Sequence, residues 1–422
     1  MNLSNFQIEF DKMMNRDYFS DKVHPMRQEA FSKFLEMGLP TKKWEDWQFT
    51  NLSSISKGKF RLSEVQDTPK GDIDISQYEI NDLETIVIYN GHYQEEMSSI
   101  PDGVQLLSGL DFLEKTNWEF KSPETSPFNL LNTAFMDSGM SIVVDSNVEV
   151  EKPIRMLFIS SGLESLMVTP RFHIDLGESS SLTFIEHHVG DSKSFFQNES
   201  VFLSLGQNAQ LNHIRIQSNS VSTANIANLD LNQDADSQYS FFQFAEGSKL
   251  GRLNICAKLK GEGANCIING LAFSNGTQHL DHHIITDHQV PHCTSSQNIK
   301  SVLQDKSSGV FNGRTIVRKD AQKTDSNQSN KNLLLSKNTL MNSNPQLEIY
   351  ADDVKCAHGS STGALDEDAL FYLRSRGLDL LSAKALLVRG FATELLDKVK
   401  HDGIRDFITD RFDKWLTENS TA

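Results

Sequence analysis

The chain has 422 residues, 38% of them hydrophobic and 23% charged, with a formal net charge of -16 at pH 7. That length exceeds what one simple core holds and predicts two or three structural units. The acidic balance excludes nucleic acid and anionic membrane as main partners, because both attract basic surfaces, and no apolar run approaches the roughly 20 residues of a membrane span.

The first residues, MNLSNFQIEFDKMMNRD, carry acids and lack an apolar core, unlike a signal peptide. Helical spacing follows from about Lys22 to Leu39. There Met26, Ala30, Phe31, Phe34 and Leu35 share a face, and Gly38-Leu39-Pro40 stops the helix. Polar, linker-like sequence runs from Ser53 to Gln77, with Thr68-Pro69-Lys70-Gly71 as its clearest breaker. Strand-like pieces such as Thr85–Tyr89 come next.

From about Ser141 to Tyr350 the chain is a succession of short strands, among them SIVVD, IRMLFIS, SLTFIEHHV and QLNHIRI, parted by Gly, Asn, Asp and Ser. A weak repeat runs through them: the anchors Leu182, Leu211, Tyr239 and Cys266 are spaced by 29, 28 and 27 residues. A near-constant period of short strands without helices predicts a stacked β-solenoid, whose coils bury their inward side chains only against one another. A propeller blade needs about 40 residues per repeat and fits the spacing less well.

Helical signals return at the end. Asp366-Glu367-Asp368 loads acids onto a helix start and Gly377 closes it. Leu386, Leu387, Phe391, Leu395 and Leu396 follow at helical spacing, then Ile404, Phe407, Ile408, Phe412 and Trp415. These stripes serve either mutual packing and packing onto the end of the solenoid, or the docking of a partner. The expected organisation is mainly β: residues 1–75 a helical domain and linker, 76–140 a lead-in, 141–350 the solenoid, and 351–422 a helical domain.

Where the solenoid gives way to helices stands DDVKCAHGSSTG, with Cys356 and His358 two residues apart. On an extended segment both side chains point to one face, and thiolate and imidazole suit iron, zinc or an iron–sulfur cluster. Two ligands do not close such a site. A second cluster, QHLDHHIITDHQVPHC (Gln278–Cys293), places His279, Asp281 and His283 on one strand face, a conceivable ligand set. Adjacent His282 and His283 point to opposite faces, which favours hydrogen-bonded ladders between coils. The polar stretch DAQKTDSNQSNKNLLLS (Asp320–Ser336) also suits such ladders.

The four cysteines have no paired spacing of a disulfide framework and fit a reducing cytoplasm. There is no G-x-x-x-x-G-K-[ST], G-x-G-x-x-G, H-E-x-x-H or C-x-x-C motif, so no autonomous catalytic site is legible.

QHLDHHIITDHQVPHCTSSQ, GVFNGRTIV, AQKTDSNQSNKNLLLS, PQLEIYADDVKCAHGSSTGALDEDALFYLRSRG and the N-terminal GLPTKKWEDWQFTNL together resemble the SufB/SufD family. The D-V-K-C-x-H-G and L-F-Y-L-R-S-R-G forms are similar to its SufD branch; the SufB branch usually carries Cys where Leu373 stands here. The resemblance implies a right-handed parallel β-helix between small helical domains. It also implies a non-enzymatic subunit of the SufBCD complex, which assembles iron–sulfur clusters in the cytoplasm. Such a subunit pairs with a SufB-like chain through its β-helix and binds a SufC-like ATPase through its C-terminal helices. The family's interfacial histidine falls on His358 and its nearby cysteine on Cys356. A nascent cluster shared with the SufB-like chain, and none held tightly by this chain alone, is the expected cofactor. Whether Cys356 is a ligand, a sulfur relay or structural stays open, as does a homodimer of the isolated chain. The competing readings are a stand-alone metal-binding protein using the histidine-rich segment and a β-helix carbohydrate-active enzyme.

Overall fold

The computed structural model describes residues 3–15, 23–69, 74–108, 111, 126–136 and 139–419. Lys22 and the Lys70-Gly71 half of the linker breaker lie outside them. The strands form two sheets, one of 11 and one of 10 strands, and from Arg171–Leu176 onward successive strands alternate between them, each pairing in parallel with the next-but-one in sequence. The result is a parallel β-helix, as the 27- to 29-residue period predicts.

The register explains the repeat. Leu182, Leu211, Tyr239 and Cys266 are direct Cα partners, stacked in one column and buried in the solenoid's interior cluster. Six successive coils turn the same corner with a left-handed residue. Ser179, Asn208, Asp236, Gly263, His292 and Lys323 all have φ between 57° and 77°. Each stands two residues before a strand of the second sheet, where Asn, Asp and Gly tolerate that conformation best. His292 of the histidine-rich segment is thus a corner residue.

The stacked strands begin with Glu84–Tyr89 and run to Lys355–Gly363. At the first end each sheet is finished by an antiparallel neighbour, His92–Gln94 on one and Val104–Ser108 on the other. Outside the solenoid, helices cover both sheets. On the first sheet, the aromatic cluster of Phe6, Phe31, Phe34 and Phe135 continues onto Phe196 and Ile226. Helix His24–Met37 ends at Gly38, φ 69°, as the Gly-Leu-Pro stop predicts. On the second sheet, helices Leu380–Leu396 and Asp402–Asn419 lay Val388, Leu395, Ile408, Phe412 and Trp415 against Ile185, Phe244 and Phe273. The C-terminal stripes therefore pack on the side of the solenoid. Its last coil is left uncovered by them.

Candidate functional site at the open end of the solenoid

Cys356 and His358 lie on the last strand, Lys355–Gly363, which pairs only with Asp325–Leu334. The other sheet ends likewise at Leu340–Ile349, paired only with Ser308–Val317. Two open edges therefore lie side by side, each presenting unpaired backbone donors and acceptors. Around them Leu340, Ile349 and Tyr350 are exposed.

Cys356 stands directly over Ser326, and Ser326 over Ser295 and Cys266, so it tops the same inward column that begins at Leu182. His358 likewise stands over Gln328 and Gln297. Alternation sends both side chains to one face, as expected of a C-x-H pair on a strand. Cys356 is half-buried beside Val317, Ala321 and Ala351, and His358 is exposed. Burial pushes the Cys356 thiol up, and the nearby Asp325 carboxylate adds to this. All four cysteines are free. Among the described residues no third His, Cys, Asp or Glu gathers with this pair in metal-binding range.

Beneath the pair the solenoid interior turns polar. The Ser295 and Ser326 hydroxyls are 2.9 Å apart, Ser326 is 3.3 Å from Thr315, and Gln328 Nε2 donates to Thr315 at 2.8 Å. His288 Nε2 is 2.8 Å from Ser295. Asn330 donates to the Ile299 carbonyl and Asn332 to Thr362. The polar stretch Asp320–Ser336 thus makes hydrogen bonds between coils, as its composition predicts.

The histidine-rich segment makes such ladders too, His279 Nδ1 lying 2.7 Å from Ser308 and Thr286 3.1 Å from Thr315 on the next coil, and it has a second role. On strand His279–His288, the residues His279, Asp281 and His283 do share one face, but it is turned to the N-terminal residues. Thr50 Oγ1 lies 3.1 Å from His279 Nε2 and donates to Asp281 at 2.5 Å. Asp281 also accepts from Arg252 at 2.7 Å and sits 3.1 Å from His283. Arg252 stacks 3.6 Å over the Trp47 ring and donates to the Asp46 carbonyl. Burial alone would raise the Asp281 carboxyl; Arg252 and His283 outweigh it and hold it well below the usual carboxylate range. His282 and His288 point inward, to Gln243 and Ser295. The segment is a clasp between GLPTKKWEDWQFTNL and the solenoid. Its two partners are the motifs singled out in the sequence, but their contact spans more than 200 positions and leaves no periodic signal.

The first C-terminal helix, Glu367–Ser375, is capped by Asp366, which accepts from the Asp368 and Ala369 amides, and Gly377 follows at φ 98°. It buries none of its residues: Phe371 is 75% and Tyr372 56% exposed, and Leu380, Leu381 and Leu386 continue the patch. The apolar stripes therefore divide, one part packing on the solenoid and one part facing outward.

A family model described as "SUF system FeS cluster assembly, SufBD core domain" matches residues 158–391, and the SufBD N-terminal region matches residues 8–156. The chain belongs to the SufBD family. It is 29% identical over 403 residues to the iron–sulfur cluster assembly protein SufD of Escherichia coli, covering 94% of this chain and 93% of that one. It is 30% identical to an iron–sulfur cluster assembly SufBD family protein of Synechocystis, covering 88% and 86%. It is also 30% identical to the chloroplastic protein ABCI7 of Arabidopsis thaliana, covering 90% and 83%. Membership of the SufBD family gives the chain a role in iron–sulfur cluster assembly. Among the described residues no helix is long and apolar enough to cross a membrane.

Proposed function

We propose that this chain is a scaffold subunit that holds half of a cluster-assembly site and completes it with a SufB-like chain. The observation that carries this is the unfinished last coil: two open strand edges with Cys356 and His358 at their rim. A partner strand added to such an edge supplies backbone hydrogen bonds at once and brings its own ligands beside this pair. Thiolate and imidazole are ligands for iron or an iron–sulfur cluster. Metal contact itself removes the thiol proton that burial retains. Nascent cluster is cargo at this site, and the incomplete ligand set suits its later release.

The exposed Phe371–Leu386 patch supports docking of a SufC-like ATPase, since a contiguous apolar surface of this kind marks an interface. The chain has no phosphate-binding loop of its own. On this reading the ATPase cycle, working through the C-terminal helices, shifts the paired solenoids and uncovers the shared ligands. Free thiols in a reducing cytoplasm fit the same role.

Co-expression with a SufB-like chain and its ATPase tests the reading. A stable three-component complex is expected, with His358→Ala leaving the complex intact and abolishing cluster assembly. Maturation at the normal rate in the substituted complex removes His358 from the site. Failure of the chains to co-purify removes the scaffold role.

A further inference from the structure

A second group of ligand-type side chains lies deep inside the solenoid, far from the open rim. Glu186 and His188 come from one strand, Glu199 from the strand that follows, and all three are fully buried. They are the one set of three among the described residues whose ligand atoms lie within 4.8 Å of one another.

The hydrogen-bond pattern prepares the imidazole as a ligand. Arg215 Nη1 is 2.7 Å from His188 Nε2, and a guanidinium can only donate, so Nε2 carries the lone pair. Gln197 presents its amide 3.0 Å from Nδ1 through its own Nε2, so the His188 Nε2 lone pair requires that amide to turn its oxygen to the Nδ1 proton. Glu199 Oε1 accepts no hydrogen bond and lies 3.7 Å from that lone pair. Glu186 Oε2 is 3.4 Å from it. A tetrahedral site with bonds of about 2.1 Å has its ligand atoms roughly 3.4 Å apart. Around Glu186, His213 adds an outer contact: its Nε2 is 2.8 Å from Oε1 and its Nδ1 is 2.9 Å from the Tyr239 hydroxyl.

Charge leaves room for a cation. Two carboxylates share one guanidinium, with Arg215 Nη2 3.0 Å from Glu199 Oε2 and Nη1 on Glu186 Oε2. One negative charge is left over where water does not reach, which costs several kcal/mol unless a cation or proton meets it.

We propose that Glu186, His188 and Glu199 form a binding site for one divalent first-row transition metal inside the solenoid, for which Arg215 is the built-in competitor. Metal binding draws Arg215 Nη1 off the His188 lone pair, while Asn225 Oδ1, 3.4 Å from Nη2, holds the guanidinium to one side. One imidazole and two carboxylates suit zinc, iron(II), manganese(II) or cobalt(II).

The test uses the full chain carrying Cys356→Ser and His358→Ala, so that the rim contributes nothing. After equilibrium dialysis against micromolar cobalt(II), one equivalent per chain is expected, with the visible absorption of low-coordinate cobalt. Glu199→Gln should weaken binding at least tenfold, and Arg215→Gln should strengthen it at least tenfold by removing the competitor. Should these variants fail to fold, X-ray absorption of the loaded parent serves instead. One imidazole with carboxylate oxygens supports the site, and a shell of water or several imidazoles overturns it. No retained metal in the parent means that a proton alone meets the charge, and the site is withdrawn. Binding unchanged in Glu199→Gln withdraws it equally.

Discussion

Thr50 donates its hydroxyl proton to Asp281, a carboxylate 231 positions away that also accepts from Arg252. This hydroxyl and the Trp47–Arg252 stack fasten the N-terminal helices to the solenoid's outer face. Thr50→Val keeps the shape and removes the donor. It should destabilise the chain by about 1–3 kcal/mol, because Asp281 then stays buried with one donor fewer. Urea unfolding checks it; an unchanged midpoint would mean that the clasp is held by the stack alone.

Phe412 is fully buried and its ring lies 4.8 Å from that of Phe273, across the interface between the last helix and the second sheet. Phe412→Ala should therefore cost about 3–5 kcal/mol, the range for emptying an aromatic core site. The same measurement reads it, and a loss below about 1 kcal/mol would mean that this helix is not part of the folded core.

The opposite result is expected one helix earlier. Phe371 and Tyr372 are 75% and 56% exposed. Replacing both by Ser should move stability of the isolated chain by no more than about 0.5 kcal/mol, as for other surface positions. Co-purification with the ATPase should be lost. Retained ATPase binding would assign the docking surface elsewhere.

Burial pushes both His282 and His288 down to about 4. In the unfolded chain they titrate near about 6.5. Because the folded values are depressed, protonation favours unfolding. The stability they contribute is present above about pH 6.5 and is lost as pH falls toward 4, up to about 3 kcal/mol each. Chemical unfolding at steps between pH 7 and 4.5 should show the decline, and His288→Gln should flatten it. A flat profile down to pH 5 would contradict neutral buried imidazoles.

Thiol chemistry separates the cysteines. Burial pushes Cys256 up to about 11 and Cys266 to about 12, and Cys293 is buried with its thiol donating to the Gly261 carbonyl. Cys356, half-buried at an open edge, should be the first alkylated in the native chain, as peptide mass spectrometry would read. Loss of that preference on adding a SufB-like chain is the expected mark of a covered rim.

The sequence carried the solenoid because its interior obeys a local rule. Leu182, Leu211, Tyr239 and Cys266 recur at nearly one period, and the chain stacks those residues directly. It carried Cys356 and His358 as a pair because strand alternation is also local. The continuation of the column through Ser295 and Ser326 to Cys356 was not legible, since polar residues replace the apolar anchors there. The clasp and the Glu186–His188–Glu199 cluster were illegible for a different reason. The clasp joins residues more than 200 positions apart, the cluster joins successive strands of opposite sheets, and no spacing announces which buried carboxylate faces which imidazole.

The two ends of the stack are unlike. One finishes each sheet with a short antiparallel strand of three or five residues, and the other ends in parallel strands of ten and nine residues. A rod that can be joined at only one end cannot polymerise, however strongly its edges attract. On the proposed pairing, two such rods meeting at these ends consume both long edges, only the short antiparallel ones remain, and the assembly stops at a pair. Asymmetry of the ends therefore sets the stoichiometry before any side chain selects the partner.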